Sequence, residues 1–370
     1  MELRLKFFCC GYCFNFSRYP ILGGIEIVAL GGSALRVVEY ISSLTYVPTL
    51  REVSEATGLS VSTVWRIVKQ LEGLGISFKV VPFLGRMGLT EVLLVYRSRI
   101  PVKGVPEVLL RSLIRTLEGV TMLRYVSRRQ EVEVVVNYVV DRVGIEPSEV
   151  YVLDSTVAPR YILTHIARGV VDRVYVRELL ALASTYQQPA APSVGTCDSI
   201  DIALVNLLEE NALMKVKEAL NYLKARSISV SYRTVLKHYH HHIVGRGVIA
   251  GIRPTVERYV EKLAPSTRRV LVVYGVPHSV AKAMRAVLGL PLFSEALLSS
   301  REGVAIATAS TPVETLPKLV EFLDTLSSRG YIAEWRLLEI DPASQLRRPI
   351  PESLGSLSTT EIVAGSAGST

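Results

Sequence analysis

The stretch over residues 49–76 constrains the fold of this chain most, because it has the pattern of two helices joined by a glycine turn. A short helix is expected over residues 50–57, and a longer one starts near Ser60, with Gly58 in the turn. Ser60 is placed to cap the longer helix through its side-chain oxygen. Apolar residues recur in that helix at spacings of three and four, which predicts one buried stripe: Val64, Ile67, Val68, Leu71 and Leu74.

The opposite face of the longer helix is polar and basic. This arrangement predicts a helix-turn-helix whose second helix enters a DNA major groove. Hydroxyl groups near the helix start can bond to phosphates or base edges, and an arginine can bind guanine or phosphate through two parallel hydrogen bonds. The candidate DNA contacts are Ser60, Ser62, Thr63, Arg66 and Lys69. An ordinary solvated face and a structural or protein-binding winged helix are the alternatives. Trp65 is ambiguous, and its neighbours on the stripe favour a core position over a base contact.

Composition narrows the class of protein. The chain has 370 residues, enough for two or more domains. Hydrophobic residues make up 49% and the mean hydropathy is +0.32, but the longest apolar candidate, residues 21–32, is too short to span a bilayer. A net charge of +8 favours a polyanionic partner. Without a clean signal peptide, we expect a cytoplasmic protein that has no disulfides and does not bind a membrane.

The first half continues as a winged helix and a small sheet domain. A helix over residues 33–44 precedes the two opening helices, and residues 76–82 form the wing strand. Val-rich segments then predict strands over residues 90–98, 122–128 and 131–140, with a helix over residues 106–117 and a short final strand at 151–153. This order is most of a ferredoxin-like βαββαβ unit. The first 32 residues have no assigned role.

The second half is predicted to repeat the first. After a largely helical segment at 160–183 and a linker at 184–199, helices are expected over residues 201–213, 216–225 and 229–243. A complete βαββαβ order follows, with strands at 269–276, 292–298, 303–309 and 331–340 and helices at 278–288 and 312–329.

The fold class is therefore α+β, with two winged helix-turn-helix domains, each followed by a ferredoxin-like (ACT/RAM-like) domain. The expected boundaries are residues 1–32 (tail), 33–84 (winged helix), 85–156 (ferredoxin-like), 157–199 (helix and linker), 200–256 (winged helix), 266–341 (ferredoxin-like) and 342–370 (disordered tail).

The second recognition helix would begin with Ser229-Val-Ser, like Ser60 to Ser62, and Thr234-Val235 resembles Thr63-Val64. Its candidate DNA contacts are Ser231, Arg233, Thr234, Lys237, His240 and His241. Four of the six histidines in the chain lie over residues 238–242. His238, His241 and His242 share a helix face, which is a spacing that metal sites use, but the run contains no carboxylate. A DNA face, a solvated or partly buried face, and a metal or pH-sensing site remain open.

These motifs resemble the leucine-responsive regulator (Lrp/AsnC) family. The residues that carry the resemblance are Leu59 to Val64 with Arg66, Leu71-Glu72, Gly75-Ile76, and the 85–89 turn. The resemblance implies a transcriptional regulator that binds double-stranded DNA, takes a small-molecule effector in some members, and pairs its sheets. That pairing would occur within one chain as a pseudo-dimer or between two chains as a homodimer.

Neither a phosphate-binding loop nor a nucleophile elbow is visible, so we expect a non-enzymatic protein without cofactor or metal. A winged-helix protein-interaction scaffold is one alternative. Siroheme-decarboxylase-like tetrapyrrole enzymes share the fold and are another, although the chain lacks their heme-contacting His and Tyr-Asn-x-Trp pattern.

Overall fold

The computed structural model describes residues 18–19, 27–28, 31–162, 176–186, 195–256, 259, 261 and 264–367. Two short paired strands, β1 (Arg18–Tyr19) and β2 (Ile27–Val28), lie in the N-terminal stretch. None of the described helices is long and apolar enough to cross a membrane.

The first helix set has the expected helix-turn-helix. Its elements are α1 (Gly32–Ser42), α2 (Leu50–Thr57), α3 (Val61–Gly73) and the wing strand β3 (Phe78–Pro82). A capping box between Thr49 and Glu52 starts α2, and Gly58 ends it with a φ of 68°. The Ser60 side chain accepts a bond from the Thr63 amide and starts α3. The predicted stripe is buried as far as Leu71.

The sheet that follows differs from the expectation in two places. Its elements are β4 (Leu89–Tyr96), β5 (Leu110–Arg115), β6 (Thr121–Arg128), α4 (Val132–Val143) and β7 (Glu149–Leu153). The helix predicted over residues 106–117 is wrong, because that segment holds β5. The strand predicted over residues 131–140 is also wrong, because Val135 and Val139, four residues apart, bury one face of a helix.

A second helix set begins at Ser199. Helix α5 (Val176–Ser184) is the described end of the helical segment predicted over 160–183; residues 163–175 and 187–194 lie outside the described parts. The second set consists of α6 (Ser199–Glu210), α7 (Val216–Ala225), α8 (Tyr232–Lys237), a π-helical turn (His238–Val244) and the strand β9 (Ile249–Pro254). Ser231, rather than Ser229, caps α8, so the Ser-Val-Ser match is displaced by two residues.

The last large segment has the predicted order of strands and helices. Its elements are β10 (Ser266–Tyr274), α9 (Pro277–Val287), β11 (Phe293–Ser299), β12 (Val304–Pro312), α10 (Leu316–Ser328) and β13 (Glu334–Glu339). The sheet order is β13-β10-β12-β11, and the first sheet has the equivalent order β7-β4-β6-β5.

Each half of the chain completes the sheet of the other. Strand β8 (Ser155–Val157), which follows the first sheet in sequence, pairs with β11 of the second. Strand β14 (Leu346–Arg347), near the C-terminus, pairs with β5 of the first. The wing strand β3 also pairs with β9, antiparallel. These exchanges join the halves through backbone hydrogen bonds.

The two large sheets pack face to face within the chain. An apolar cluster fills the space between them, and its buried members are Leu93, Val95, Ile114, Met122, Leu153, Val270, Val272, Leu297, Val304, Ile306 and Ile340. Burial of these side chains on both inner faces provides the driving force for the packing.

The C-terminal segment is ordered as far as residue 367, so the prediction of a disordered tail over residues 342–370 is wrong for that part. Asn206 holds it by a pair of bonds with the backbone of Ile350, each 2.8 Å long. The last helix, α11 (Thr359–Ala367), packs on α4, where the hydroxyl groups of Tyr138 and Ser366 lie 3.0 Å apart. The C-terminal segment is rich in Pro and Ser, yet it docks because residues of the folded body form hydrogen bonds with its backbone.

A buried ionic network lies where β14 meets the two halves. One Arg347 nitrogen lies 3.1 Å from a Glu295 oxygen and 3.2 Å from a Glu209 oxygen. Arg111, which is 3% exposed, also pairs with Glu209. Burial disfavours the ionised form of Glu295, but the guanidinium groups around it, Arg347 foremost, outweigh that effect and lower its pKa to about 2.

Candidate functional site

A cavity of about 440 Å³ lies where the pair β3–β9, strand β8 and helices α5 and α9 meet. Its size falls within the range of small-molecule sites. Three arginines from distant parts of the sequence line it: Arg86 after the first wing, Arg160 after β8 and Arg285 on α9. A second cavity of about 170 Å³ shares Arg160 and Arg285 with it.

The remaining lining residues are apolar or carry hydroxyl groups, and none of those described is acidic. The hydroxyl-bearing residues are Thr45, Thr156, Thr185 and Tyr186, and the larger apolar residues are Phe83, Val157, Leu182 and Ile249. A cavity with several guanidinium groups and no carboxylate complements an anion that also has an apolar body.

The electrostatics of the cavity follow from this composition. Arg285 donates a 2.7 Å bond to the backbone carbonyl of Ala158, which fixes its position. Burial lowers the pKa of Arg285, and the positive charge of Arg160 lowers it further. Burial raises the pKa of Tyr186 despite the opposing effect of Arg285. The cavity therefore holds cations close together, an arrangement that a bound anion relieves.

The predicted recognition face of α3 lies on the surface. Ser60, Ser62, Arg66 and Lys69 are exposed and Thr63 is half-buried. Ser60 serves mainly as the helix cap, and Lys69 pairs with Glu72 at 2.6 Å. Arg66 has no hydrogen-bond or ion-pair partner within the described residues. Trp65, expected in the core, is 53% exposed.

The corresponding face of α8 is also on the surface. Ser231, Arg233, Lys237, His240 and His241 are exposed and Thr234 is half-buried. The side chain of Ser231 caps α8, as Ser60 caps α3. The hydroxyl of Tyr239 accepts a 2.9 Å bond from the Val47 amide, which joins the two helix sets.

The histidine run divides between two environments. His238 and His242 point inward to Asp201, a residue on α6 that is 1% exposed, whereas His240 and His241 point outward. The sequence grouping of His238, His241 and His242 is therefore wrong for His241. The run contains no carboxylate, as predicted, but α6 supplies Asp198 and Asp201. Their contact with the histidines depends on tertiary packing and leaves no short-range motif; the Asp-x-x-Asp capping pattern was the available signal.

Comparison with known proteins gives a family match and a fold match. The family described as winged helix-turn-helix DNA-binding matches residues 48–76. No curated protein matches the chain in sequence. Among solved structures, the siroheme decarboxylase NirDL is similar over 91% of this chain and 100% of its own, with a TM-score of 0.50 and 13% identity. Its co-complex with an iron-uroporphyrin III analogue is similar over 90% of this chain and 98% of its own, with a TM-score of 0.42 and 14% identity.

The fold match overturns one expectation. We predicted a non-enzymatic protein, but a solved structure that is similar to this chain over nearly its whole length is that of an enzyme. The arginines that line the cavity are scattered over the chain, so no local motif pointed to them. The protein thus contains a winged helix-turn-helix DNA-binding domain at residues 48–76 within a mixed α/β fold similar to that of the siroheme decarboxylase NirDL.

Proposed function

We propose that this protein is an enzyme that removes CO₂ from a polycarboxylate of the tetrapyrrole class, bound at the arginine-lined cavity. The observation that carries the proposal is the convergence of Arg86, Arg160 and Arg285 on one cavity with no acidic lining residue among those described. The resemblance to a siroheme decarboxylase names the substrate class to test first. Guanidinium groups suit carboxylates because they donate two parallel hydrogen bonds.

The lining also suits the reaction. When a carboxylate leaves as CO₂, the C–C bond breaks, its electron pair stays on carbon, and that carbon takes up a proton. The arginines would hold the carboxylates that do not react, because a tightly paired reacting carboxylate would be stabilised in the ground state. The reacting carboxylate would lie against the apolar wall formed by Phe83, Val157 and Ile249. Loss of hydration there favours dispersal of the carboxylate's charge.

Tyr186 is our candidate proton donor. It lines the cavity, and burial raises its pKa, so its hydroxyl keeps its proton at neutral pH. The Tyr186→Phe variant should bind the ligand but form product more slowly, by about 100-fold or more, the usual scale of acid–base catalysis. Loss of binding in this variant would assign Tyr186 to substrate positioning instead.

An absorption titration with iron-uroporphyrin III tests the binding site. We expect Arg285→Ala to bind about 10- to 100-fold more weakly than the parent, since a hydrogen bond to a charged group contributes about 1.5–3 kcal/mol. Arg301→Ala is the matched control, because Arg301 is exposed and lies outside the cavity lining. Equal binding by the parent and Arg285→Ala would refute the assignment of this cavity.

We propose in addition that the chain is a tandem Lrp/AsnC-like repeat, with winged helices at residues 33–84 and 200–256 and ferredoxin-like domains at 85–156 and 266–341. The equivalent strand orders of the two large sheets support this division. The serine caps at the starts of α3 and α8 support it too.

Binding of double-stranded DNA is the second candidate function, and the family match at residues 48–76 favours it. If Arg66 contacts a base, we expect Arg66→Ala to weaken DNA binding by about 1–3 kcal/mol. If Arg66 contacts a phosphate, the slope of log affinity against log salt concentration should become shallower by about one. Arg51→Ala is the control, because Arg51 is exposed on α2 and pairs with Glu55. Fluorescence anisotropy with the DNA immediately upstream of the protein's own coding sequence, repeated over a salt series, measures both quantities. Identical binding isotherms for Arg66→Ala and the parent would refute the contact.

A further inference from the structure

The inward-facing histidines and two aspartates form a compact cluster away from the arginine-lined cavity. The Nδ1 atom of His238 lies 2.8 Å from Asp201 Oδ1 and 3.6 Å from Asp198 Oδ1. The Nδ1 atom of His242 lies 3.2 Å and 3.1 Å from the two Asp201 oxygens. One potential ligand atom from each of these four residues lies within 4.8 Å of all the others.

The aspartates are held in place by the start of α6. Asp198 Oδ1 accepts bonds from the amides of Ile200 and Asp201, each 3.0 Å long, and Asp201 Oδ2 accepts a bond from the Asp198 amide. This capping box fixes both carboxylates before any ligand arrives. Such outer hydrogen bonds orient ligands at metal sites.

The first helix set shows that the fold does not require these polar residues. When the two sets are aligned on their helix caps, His238 takes the place of the buried Ile67. Asp198 and Asp201 take the places of Gly31 and Ala34. Apolar or small residues therefore serve in one set where the other has ionisable ones. A buried polar cluster at positions that apolar residues can fill calls for a role other than packing.

The π-helical turn over His238–Val244 brings the second histidine into the cluster. The bonds Ile76 N to Leu71 O and Val248 N to Ile243 O are equivalent, so Ile243 takes the core position of Leu71. Between the Ser231 cap and Ile243 there is one residue more than between the Ser60 cap and Leu71. This extra residue lets His242 face Asp201 while Ile243 stays in the core. Such turns are rare and occur frequently at functional sites.

We propose that Asp198, Asp201, His238 and His242 bind a divalent first-row transition metal ion, with Zn²⁺ the first choice. Imidazole and carboxylate ligands suit Zn²⁺, whose bonds of about 2.0–2.1 Å in tetrahedral geometry place ligand atoms about 3.3 Å apart. The separations between the imidazole and carboxylate atoms, 2.8–3.6 Å, bracket that value. On binding, each imidazole presents its Nδ1 lone pair and carries its proton on Nε2.

One neighbour in sequence, Cys197, bears on the ligand set. The thiol of Cys197 is buried and is not among the ligand atoms that lie within 4.8 Å of one another, so Cys197 is not included. His242 and Asp198 have side chains that are 25% and 50% exposed, which gives an ion a route from solvent. The bound ion would fix the start of α6 to the π-helical turn and so stabilise the second helix set.

Titration of the untagged, chelator-treated chain with Zn²⁺ and with Co²⁺ tests the proposal. Calorimetry should give one Zn²⁺ per chain at this cluster, and Co²⁺ should give the visible absorption of a tetrahedral site. Removal of an outer hydrogen-bond partner of a ligand lowers metal affinity by about 10- to 100-fold. The His242→Gln and Asp201→Asn variants each remove a ligand, so their affinity for Zn²⁺ should fall by more than that. His241→Gln is the matched control, because it lies next to His242 in the run but faces outward, and it should bind like the parent.

Two further variants separate binding at this cluster from binding elsewhere and from unfolding. A background with Cys9, Cys10 and Cys13 changed to serine removes the thiols of the N-terminal stretch as competing ligands. The His238→Ile variant introduces the residue of the first helix set; it should fold, as judged by circular dichroism, and should not gain thermal stability from Zn²⁺. Failure of the parent to bind either ion, or equal binding by the His242→Gln and His241→Gln variants, would overturn the proposal.

Discussion

The ionic network around Glu295 makes a quantitative prediction about acid stability. The lowering of its pKa from 4.5 to about 2 corresponds to about 3 kcal/mol, at 1.36 kcal/mol per unit. The Glu295 side chain is 9% exposed, but that of Arg347 is 44% exposed, so water screens part of the attraction and this figure is an upper limit. Because the pKa is lowered on folding, the stabilisation is present above pH 4.5 and is lost as the pH falls towards 2.

Urea denaturation at pH 7 and pH 3 measures this effect. Between these values the parent should lose up to about 2 kcal/mol through Glu295 alone. The Glu295→Gln variant should be less stable at pH 7 by up to about 3 kcal/mol, because Arg347 and its neighbours lose a carboxylate partner, and its stability should fall less with acidification. Glu334→Gln, which removes an exposed partner of Arg336, should change stability by at most about 1 kcal/mol. If Glu295→Gln and the parent had parallel pH profiles, the reasoning would be refuted.

Two further predictions concern stability. The Asn206→Ala variant should lose about 2–3 kcal/mol in urea denaturation, because both buried backbone groups of Ile350 lose their partner; a change below about 0.5 kcal/mol would show that the C-terminal segment is not held this way. A Cβ atom at Gly303 would lie 1.8 Å from the Gly275 carbonyl oxygen, whereas one at Gly330 would meet nothing, although both have positive φ. Gly330→Ala should lower the free energy of unfolding by about 1 kcal/mol, and Gly303→Ala should lower it several times as much. Equal midpoints of thermal unfolding for the two variants would contradict the clash.

The sequence predicted the parts of the fold in which local signals agree. In α3, the serine cap, the apolar stripe and the glycine turn all indicate one helix, and all three are present. Strands β10 to β13 of the second large sheet were also predicted, since helices with clear periodicity separate β10 from β11 and β12 from β13. Agreement between cap, period and turn leaves no alternative structure for such segments.

The errors arose where propensity and period disagreed. The segment that forms α4 is rich in valine, which favours strands, yet its buried residues Val135 and Val139 have helical spacing. Strand β5 had the opposite problem: Leu110 to Ile114 are all buried, Arg111 among them through its ion pairs, so no alternation is visible.

Neither candidate site was accessible from the sequence. The arginines of the cavity are more than 70 residues apart from one another. They converge because β8 crosses to the second sheet and β3 pairs with β9. The metal cluster requires α6 to pack on the π-helical turn, and the extra residue of that turn decides which histidines face inward. Local patterns carry no information about such contacts, since they depend on tertiary structure.

Decarboxylation of a tetrapyrrole polycarboxylate at the arginine-lined cavity is the central claim. Mass spectrometry of siroheme after incubation with the protein tests it most directly, alongside Arg285→Ala and Arg301→Ala. We predict products lighter by the mass of CO₂ with the parent and Arg301→Ala, and a loss of about 10-fold or more with Arg285→Ala at limiting substrate. Siroheme that is recovered unchanged from the parent, or equal turnover by Arg285→Ala, would contradict the claim.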